Sequence, residues 1–176
     1  RPEFNLDEAK MRAAVKRTLA MLQARQNSEG AFGVWHAGSY VNPYQTTYAA
    51  HFLVELREHG FDVPAPLFDR VIRYLKSLVA EKHSSLEELR AASYALYVLS
   101  RAGFLMTNEI GSLREQLDKT EPKRWRKDLA GLLLAGTYKL LHLDQEAQSL
   151  IAEARMDAPV VTSYRHYYDP TVYRAQ

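Results

Sequence analysis

The sequence predicts an all-α protein, built as an array of helical hairpins. Apolar residues recur in successive segments at the i, i+3, i+4, i+7 spacing of an amphipathic helix. No segment alternates convincingly between apolar and polar residues, as a half-buried strand would. One helical pattern also recurs about every 40 residues, which is typical of stacked helical hairpins.

Length and composition are those of an ordinary globular domain. The chain has 176 residues, enough for one core, so we expect a single domain over 1–176. No segment approaches the ~20 uninterrupted apolar residues of a membrane span, so no membrane contact by this chain is expected. The net charge of +2 is spread without a basic block, which argues against nucleic-acid binding.

The helices can be placed in order from their capping signals. Asn5, with a glutamate three residues on, has capping-box spacing and predicts a first helix over 6–25. Asn42 followed by Pro43 supplies a cap residue and a first-turn proline for a second helix, which ends at Gly60.

Similar signals mark the later helices. A third helix is predicted to begin around Pro66, and Ser84 and Glu87 stand in capping-box relation at the start of a fourth. Gly103 ends the fourth helix, and Thr107 caps a shorter fifth. Two further helices are predicted over 125–141 and 145–155.

An internal repeat relates three of these helices. The segment TTYAAHFLVELREHGF at 46–61 lies over ELRAASYALYVLSRAGF at 88–104 with a shift of 43, which places His51 on Tyr94. A further shift of 39 reaches LAGLLLAGTYKLLHL at 129–143. Small residues near the start of each copy allow close helix approach, so we expect these three helices to form the inner layer of the array.

The connection QARQNSEGAFGVWHAG is unusually aromatic for a linker between helices. Gln26 can hydrogen-bond backbone groups at a helix end, and Gly30 allows a turn with positive φ. Phe32 and Trp35 are predicted to cover the junction between adjacent hairpins. We therefore expect both aromatic side chains to be buried and to act as core, not as ligand platforms.

The spacing of Gln26, Gly30 and Trp35 resembles the Gln-Trp motif of α/α-toroid proteins. That superfamily includes terpenoid cyclases, protein prenyltransferase beta subunits and the thioester domains of complement and alpha-2-macroglobulin proteins. The resemblance implies that the hairpin array is a partial α/α toroid.

A longer run is similar to the bacterial branch of the alpha-2-macroglobulin family. The resemblance is good over residues 10–105 and loose beyond them. It rests on a Glu-Gly-x-Phe-x-x-Trp turn, a Thr-Tyr-Ala-x-x-Phe-Leu helix, a Gly-aromatic-x-Val-Pro turn and an Ala-Leu-Tyr-x-Leu-x-x-x-Gly helix. The matching residues are Glu29, Gly30, Phe32, Trp35, Thr47, Tyr48, Ala49, Phe52, Leu53, Gly60, Val63, Pro64, Ala95, Leu96, Tyr97, Leu99 and Gly103.

The resemblance implies part of a protease inhibitor of the bait-and-trap kind. Some members of that family carry a Cys-Gln thioester that acylates the attacking protease, but this chain has no cysteine. Either it begins downstream of that motif or the parent belongs to a branch without a thioester. We expect an excised, non-catalytic scaffold part of a thioester-type domain, with the other domains of the parent as partners and target proteases engaged through the full-length protein. A periplasmic or cell-envelope location, in a lipid-anchored parent, is implied in the same way.

Two alternatives come from other classes of protein. A helical array can be an interaction module without trap chemistry, because such arrays present extended binding surfaces. A terpenoid-cyclase-like enzyme is disfavoured, since no Asp-x-Asp-Asp cluster is present, and a prenyltransferase would need a zinc-binding cysteine. Glu87 and Glu88 stand at a capping position instead of forming a catalytic pair. We therefore expect no catalytic, cofactor-binding or metal-binding residues.

The six histidines include no i, i+4 pair, so a metal site is not expected. By resemblance, His83 lies in the region where complement relatives carry a histidine that forms an acyl-imidazole, although EKHSSLEE does not match that loop. The alternative interpretation of His83 is a solvated turn.

Two further runs have a structural and a binding interpretation. SYRHYYDP, at 163–170, is expected to be a second inter-hairpin turn in which Asp169 caps a helix that Pro170 begins; a ligand-stacking patch is the alternative. DKTEPKRWRKD, which contains Trp125, is expected to be a solvated helix start instead of a contact for nucleic acid or anionic lipid.

Overall fold

A computed structural model describes residues 7–154, and these residues form helices and connecting turns. The described helices include none with the length and hydropathy that a bilayer span requires. The predicted all-α class is confirmed. The helices are α1 Glu8–Arg25, α2 Pro43–Glu58, α3 Ala65–Ala80, α4 Leu86–Arg101, α5 Thr107–Thr120, α6 Leu129–Leu140 and α7 Asp144–Glu153, with a 3₁₀ turn at Trp125–Lys127 before α6.

The helices form two layers. Helices α2, α4 and α6 lie side by side in an inner layer, with α4 in the middle. Helices α3, α5 and α7 pack behind them. The first residues of α2, α4 and α6 border one common cavity, so the three inner helices run in the same direction. This is the arrangement that the repeat predicts.

Helix α1 is attached to this array mainly by its last turns. Its first seven residues are exposed, and its buried side chains are Leu19 and Leu22. Asp7 caps the helix by accepting a hydrogen bond from the backbone N–H of Ala9. The proposed cap residue Asn5 lies outside the described residues.

Helix α4 is the most deeply buried element. Nine of its sixteen residues are buried, since it packs against α2, α3, α5 and α6. Its start confirms a capping box, but one residue later than the sequence suggests. Ser85 accepts from the N–H of Glu88, and the Glu88 carboxylate accepts from the N–H of Ser85.

The basic run before α6 is not a solvated helix start throughout. Trp125 is completely buried, and its Nε1 donates to Asp118 Oδ1 at 2.9 Å. The Arg126 guanidinium lies 4.5 Å from the centre of the Trp125 ring. One cation of this run, Arg126, therefore packs on a core side chain, which composition alone could not reveal.

The three inner helices end in the same way. In each, the N–H of the residue that directly follows the left-handed residue bonds back across the last turn, as in a Schellman motif. The bonds are Phe61 N–H to Leu56 O, Phe104 N–H to Leu99 O and Leu143 N–H to Tyr138 O. The left-handed residue is Gly60 in α2 and Gly103 in α4, but His142, at φ 60°, in α6.

We expect His142→Gly to stabilise the protein by about 1 kcal/mol, because a side chain in the left-handed region carries backbone strain that glycine lacks. Urea unfolding of the 176-residue chain measures the change. Gly103→Ala is the matched control. Nothing lies within 4 Å of the added Cβ, so this variant introduces the same backbone strain and should lower the free energy of unfolding by a similar amount. A loss of stability in His142→Gly would contradict this account.

Candidate functional site

The turn after α1 is a packed connection. Gln26 is buried, and its Nε2 donates to Gly30 O at 3.1 Å and to Leu67 O at 3.0 Å. The amide therefore joins the end of α1 to the first turn of α3. Gly30 has φ +98°, and a Cβ there would lie 2.1 Å from the carbonyl oxygen of Arg70. Both the conformation and the close approach require glycine.

Phe32 and Trp35 have opposite environments. Phe32 is 7% exposed, whereas Trp35 is 78% exposed, so the expectation that Trp35 is a core residue is wrong. A bridge between Gly33 and Val41 folds the intervening residues outward. Ser39 Oγ accepts hydrogen bonds from the N–H groups of Trp35 and His36, which holds this small loop in place with the indole in solvent.

We expect Phe32→Ala to lower the free energy of unfolding by ~3 to 5 kcal/mol, and Trp35→Ala to change it by less than ~0.5 kcal/mol. Urea unfolding measures both. Trp35 and Trp125 are the two tryptophans of the chain, so fluorescence offers a second readout. In Trp35→Phe the emission comes from Trp125, and it should be blue-shifted and protected from quenching by iodide. Strong quenching by iodide would contradict the burial of Trp125.

The inner layer has one face that the outer helices leave uncovered, which we call the open face. On α2 and α4 this face is polar and aromatic, and its side chains pair across the two helices. It comprises Tyr44, Tyr48, His51 and Glu55 of α2, Arg90, Tyr94, Tyr97 and Arg101 of α4, and Leu129, Leu133 and Leu140 of α6.

Arg101 is the centre of the α2–α4 contact. Its Nη1 donates to Glu55 Oε1 at 2.6 Å and to His51 Nε2 at 2.7 Å, and its Nη2 donates to Glu58. Partial burial disfavours the charged guanidinium, but hydrogen bonds to the two carboxylates raise the pKa of Arg101 overall. The Arg101 hydrogen bond in turn lowers the pKa of Glu55.

The neighbours of His51 hold its neutral ring in one tautomer. Because Arg101 can only donate, His51 Nε2 is the acceptor, and Nδ1–H donates to Tyr94 Oη at 2.8 Å. The Tyr94 and Tyr97 rings each lie edge-on, 5.7 Å from the imidazole. Burial, and then the positive charge of Arg101, lower the pKa of His51, while Glu55 and Glu58 oppose the shift. Burial also raises the pKa of Tyr94 to about 12.

The His51 contact makes stability depend on pH. The pKa of His51 in the folded protein lies below the ordinary value of 6.5. As the pH falls below about 6.5, His51 therefore binds fewer protons in the folded protein than it does in the unfolded chain. Stability should therefore rise with pH through this range and fall on acidification. Urea unfolding between about pH 5.5 and 7.5 tests this, and His51→Gln should flatten part of the slope. An unchanged slope in His51→Gln would contradict the assignment.

A second ion pair joins α4 to α6. Arg90 Nε and Nη2 donate to the two oxygens of Asp128 at 2.8 Å and 2.6 Å. Asp128 also caps α6 by accepting from the N–H of Ala130 at 3.0 Å. Burial opposes its charge, but Arg90 and this N–H hold the pKa of Asp128 below its usual value.

This pair borders a cavity of about 770 Å³ at the N-terminal ends of the inner helices. The rings of Tyr40 and Tyr44 form its aromatic side, and Glu87 and Glu88 form its acidic side. Glu88 is engaged by the N–H groups of Ser84 and Ser85, which lower its pKa. The structure thus places the adjacent glutamates at the start of α4, where one of them is a capping carboxylate.

His83 is not a freely solvated turn residue. Its Nε2 lies 2.9 Å from Leu78 O, and its N–H donates to Gln116 Oε1 at 2.8 Å. It does not line the cavity at the inner-helix starts. Within residues 7–154, no three His, Asp or Glu side chains come together as metal ligands. The run at 163–170 lies outside the described residues.

Neither ion pair was predicted from the sequence, and neither was the contact between His51 and Tyr94. A signal was present, because the shift of 43 that aligns α2 with α4 also pairs His51 with Tyr94 and Glu58 with Arg101. Equivalent positions of neighbouring repeats lie close together in such arrays.

Comparison with known proteins identifies relatives over nearly the whole chain. No family model matches the sequence. A protein from Yersinia pestis named alpha-2-macroglobulin homolog is 32% identical over 177 residues, which cover 97% of this chain and 9% of that protein. The chain therefore spans a small fraction of the length of this relative.

Solved structures show the same fold. Native alpha-2-macroglobulin from Escherichia coli, spanning domain MG7 to the C-terminus, matches with a TM-score of 0.72 and 22% identity over 84% of this chain and 24% of that one. The trypsin-activated Escherichia coli protein matches with a TM-score of 0.71 and 22% identity over 84% of this chain and 10% of that one. Since it is 32% identical to the Yersinia pestis protein over 97% of its own length, the chain belongs to the bacterial alpha-2-macroglobulin family, as a homologue of one segment of those much longer proteins.

Proposed function

We propose that this chain is a non-catalytic scaffold within a bacterial alpha-2-macroglobulin-like protease inhibitor of the bait-and-trap kind. The observation that carries the proposal is the sequence relationship, which extends over 97% of the chain. A relative of the same fold has been crystallised after activation by trypsin, which supports a link to proteases for that protein.

The inner layer suits a scaffold because its helices are joined by charged hydrogen bonds. Arg101 ties α4 to α2, and Arg90 ties α4 to α6. Bidentate pairing of an arginine with a carboxylate fixes geometry as well as adding stability. A scaffold of this kind would hold a reactive group supplied by another part of the parent. The chain has no cysteine of its own from which a thioester could form.

The location and partners follow from the family resemblance alone. We propose that the parent acts in the periplasm or cell envelope, anchored by a lipid, and that this segment contacts other domains of the same polypeptide. Fractionation of cells that express the full-length protein tests the location.

A plain interaction module is the second candidate. Trp35, Tyr40 and Tyr48 are 78%, 73% and 67% exposed. Exposed aromatic side chains are typical of surfaces that bind other proteins. In that case the open face and the loop at Trp35, not the rigidity of the layer, would decide activity.

A matched set of variants in the full-length protein separates the two candidates. Leu96→Ala removes a fully buried side chain of α4 and should destabilise the fold by ~2 to 5 kcal/mol. If the chain is a scaffold, this variant reduces protease capture, measured as protection of a protein substrate. Tyr48→Ala and Trp35→Ala, both exposed, should leave capture within about twofold of wild type, since exposed changes cost less than ~0.5 kcal/mol.

The opposite pattern would favour the interaction module: lost capture in Tyr48→Ala or Trp35→Ala with an unchanged urea midpoint. The isolated chain provides a further check. It should neither incorporate methylamine nor inhibit a protease, because it contains no cysteine and would lack the bait. Inhibition by the isolated chain would show direct protease binding and contradict the scaffold role.

A further inference from the structure

His51 and Arg101 form a contact that only the neutral form of His51 allows. Arg101 Nη1 donates to His51 Nε2 at 2.7 Å, while Nδ1–H of the same ring donates to Tyr94 Oη at 2.8 Å. A guanidinium has no acceptor, so Nε2 must carry no proton for this bond to form. An imidazolium carries a proton on both nitrogens and would face the arginine with a second donor. Protonation of His51 therefore ends this hydrogen bond.

A carboxylate lies within reach of the same ring nitrogen. Glu55 Oε1 is 3.5 Å from His51 Nε2, and it accepts from Arg101 Nη1 at 2.6 Å. The Arg101 hydrogen bond lowers the pKa of Glu55, so this carboxylate stays charged in mildly acidic solution. Arg101 also donates to Glu58, in a pair that does not include His51. Protonated His51 can thus donate to Glu55 while Arg101 keeps a carboxylate of its own.

Titratable groups surround His51 from both helices of the junction. Glu55, Glu58 and His59 come from α2, and Tyr94, Tyr97 and Arg101 come from α4. Helix α6, which also packs on α4, brings Gly136 against the Tyr97 ring. Burial and Arg101 lower the pKa of His51, so the ring takes up its proton in mildly acidic solution. The carboxylates oppose this shift, and they would stabilise the imidazolium once it forms.

The junction between α4 and α6 is built without a histidine. Its ion pair joins Arg90 to both oxygens of Asp128. The positions that match His51 in the repeat are Tyr94 in α4 and Leu133 in α6. Because the pKa of Asp128 lies below its usual value, both partners of this pair stay charged in mild acid. Mild acid should therefore act on only one of these two junctions.

We propose that the contact between His51 and Arg101 is a pH-sensitive switch within the folded protein, in which a proton taken up at His51 Nε2 moves this ring from Arg101 to Glu55. The bond from Nδ1–H to Tyr94 is kept, because both forms of the ring carry that proton. Arg101 keeps Glu58, so α2 stays attached to α4 but is held less firmly near its C-terminal end. The switch is a local rearrangement, distinct from global unfolding, and it does not depend on protease inhibition.

Nitrogen NMR of the isotope-labelled 176-residue chain tests this exchange of partners. As the pH falls from about 7.5 to about 4.5, His51 Nε2 should gain a proton, and the guanidinium N–H signals of Arg101 should shift with the same midpoint. The Nε–H signal of Arg90 is the internal control and should not move with that midpoint. In His51→Gln the Arg101 shift should be lost. In Arg101→Met the midpoint of His51 should rise, because a neighbouring positive charge is removed.

Double-mutant cycles provide a second measurement, in which His51→Phe is combined with Arg101→Met or with Glu55→Gln. Urea unfolding at about pH 7.5 and about pH 5 gives the coupling of each pair. The coupling of His51 with Arg101 should change the unfolding constant by about threefold or more at the higher pH and disappear at the lower one. The coupling of His51 with Glu55 should strengthen as the pH falls.

Four results would overturn the proposal. The first is a His51 ring that stays neutral down to about pH 4.5. The second is a set of Arg101 signals that do not follow His51, and the third is an Arg101 shift that persists in His51→Gln. The fourth is a coupling of His51 with Arg101 that is equal at both pH values. Circular dichroism establishes that each variant is folded, and the titration of the unmodified chain decides the question even if a variant is not.

Discussion

The structure depends on the burial of α4, in which both arginines and the buried Ser93 and Tyr94 have hydrogen-bond partners. A charged group in a buried position is costly unless it is paired and hydrogen-bonded. Arg101 meets Glu55 and Glu58 of α2, and Arg90 meets Asp128 at the start of α6. These pairs leave α2 and α6 little freedom to shift along α4, so the central helix sets the register of the whole inner layer.

Much of this fold could be predicted from local signals. Helix starts at Asn42 and ends at Gly60 and Gly103 follow from capping and from left-handed conformations, which depend on neighbouring residues alone. The capping box at α4 was misplaced by one residue, because Ser84 and Ser85 are both acceptable caps and both are followed three residues later by glutamate. In the structure Ser85 is the cap, because its Oγ accepts from the N–H of Glu88.

The environments of the two tryptophans could not be predicted in the same way. Trp35 is a large apolar residue in a compact turn, yet the bridge at Gly33 turns it outward, whereas Trp125 lies in a basic run and is fully buried. Burial of a single side chain depends on contacts between distant segments. The same holds for the candidate site: the sequence indicated Gln26, Gly30 and Phe32 through the composition of a single turn, but it did not indicate Arg101, whose partners lie more than 40 residues away.

The attachment of α1 by its last turns implies a gradient of local stability along the array. In a stacked helical array each unit is held by its neighbours, so the part of a helix that buries few side chains against them is held less firmly. Gln26, Leu19 and Leu22 anchor the C-terminal end of α1, while its first seven residues are exposed. Amide protons near Arg12 should therefore exchange through fraying, and those of α4 through global unfolding. The N-terminal part of α1 would unfold and refold locally while the inner layer stays folded.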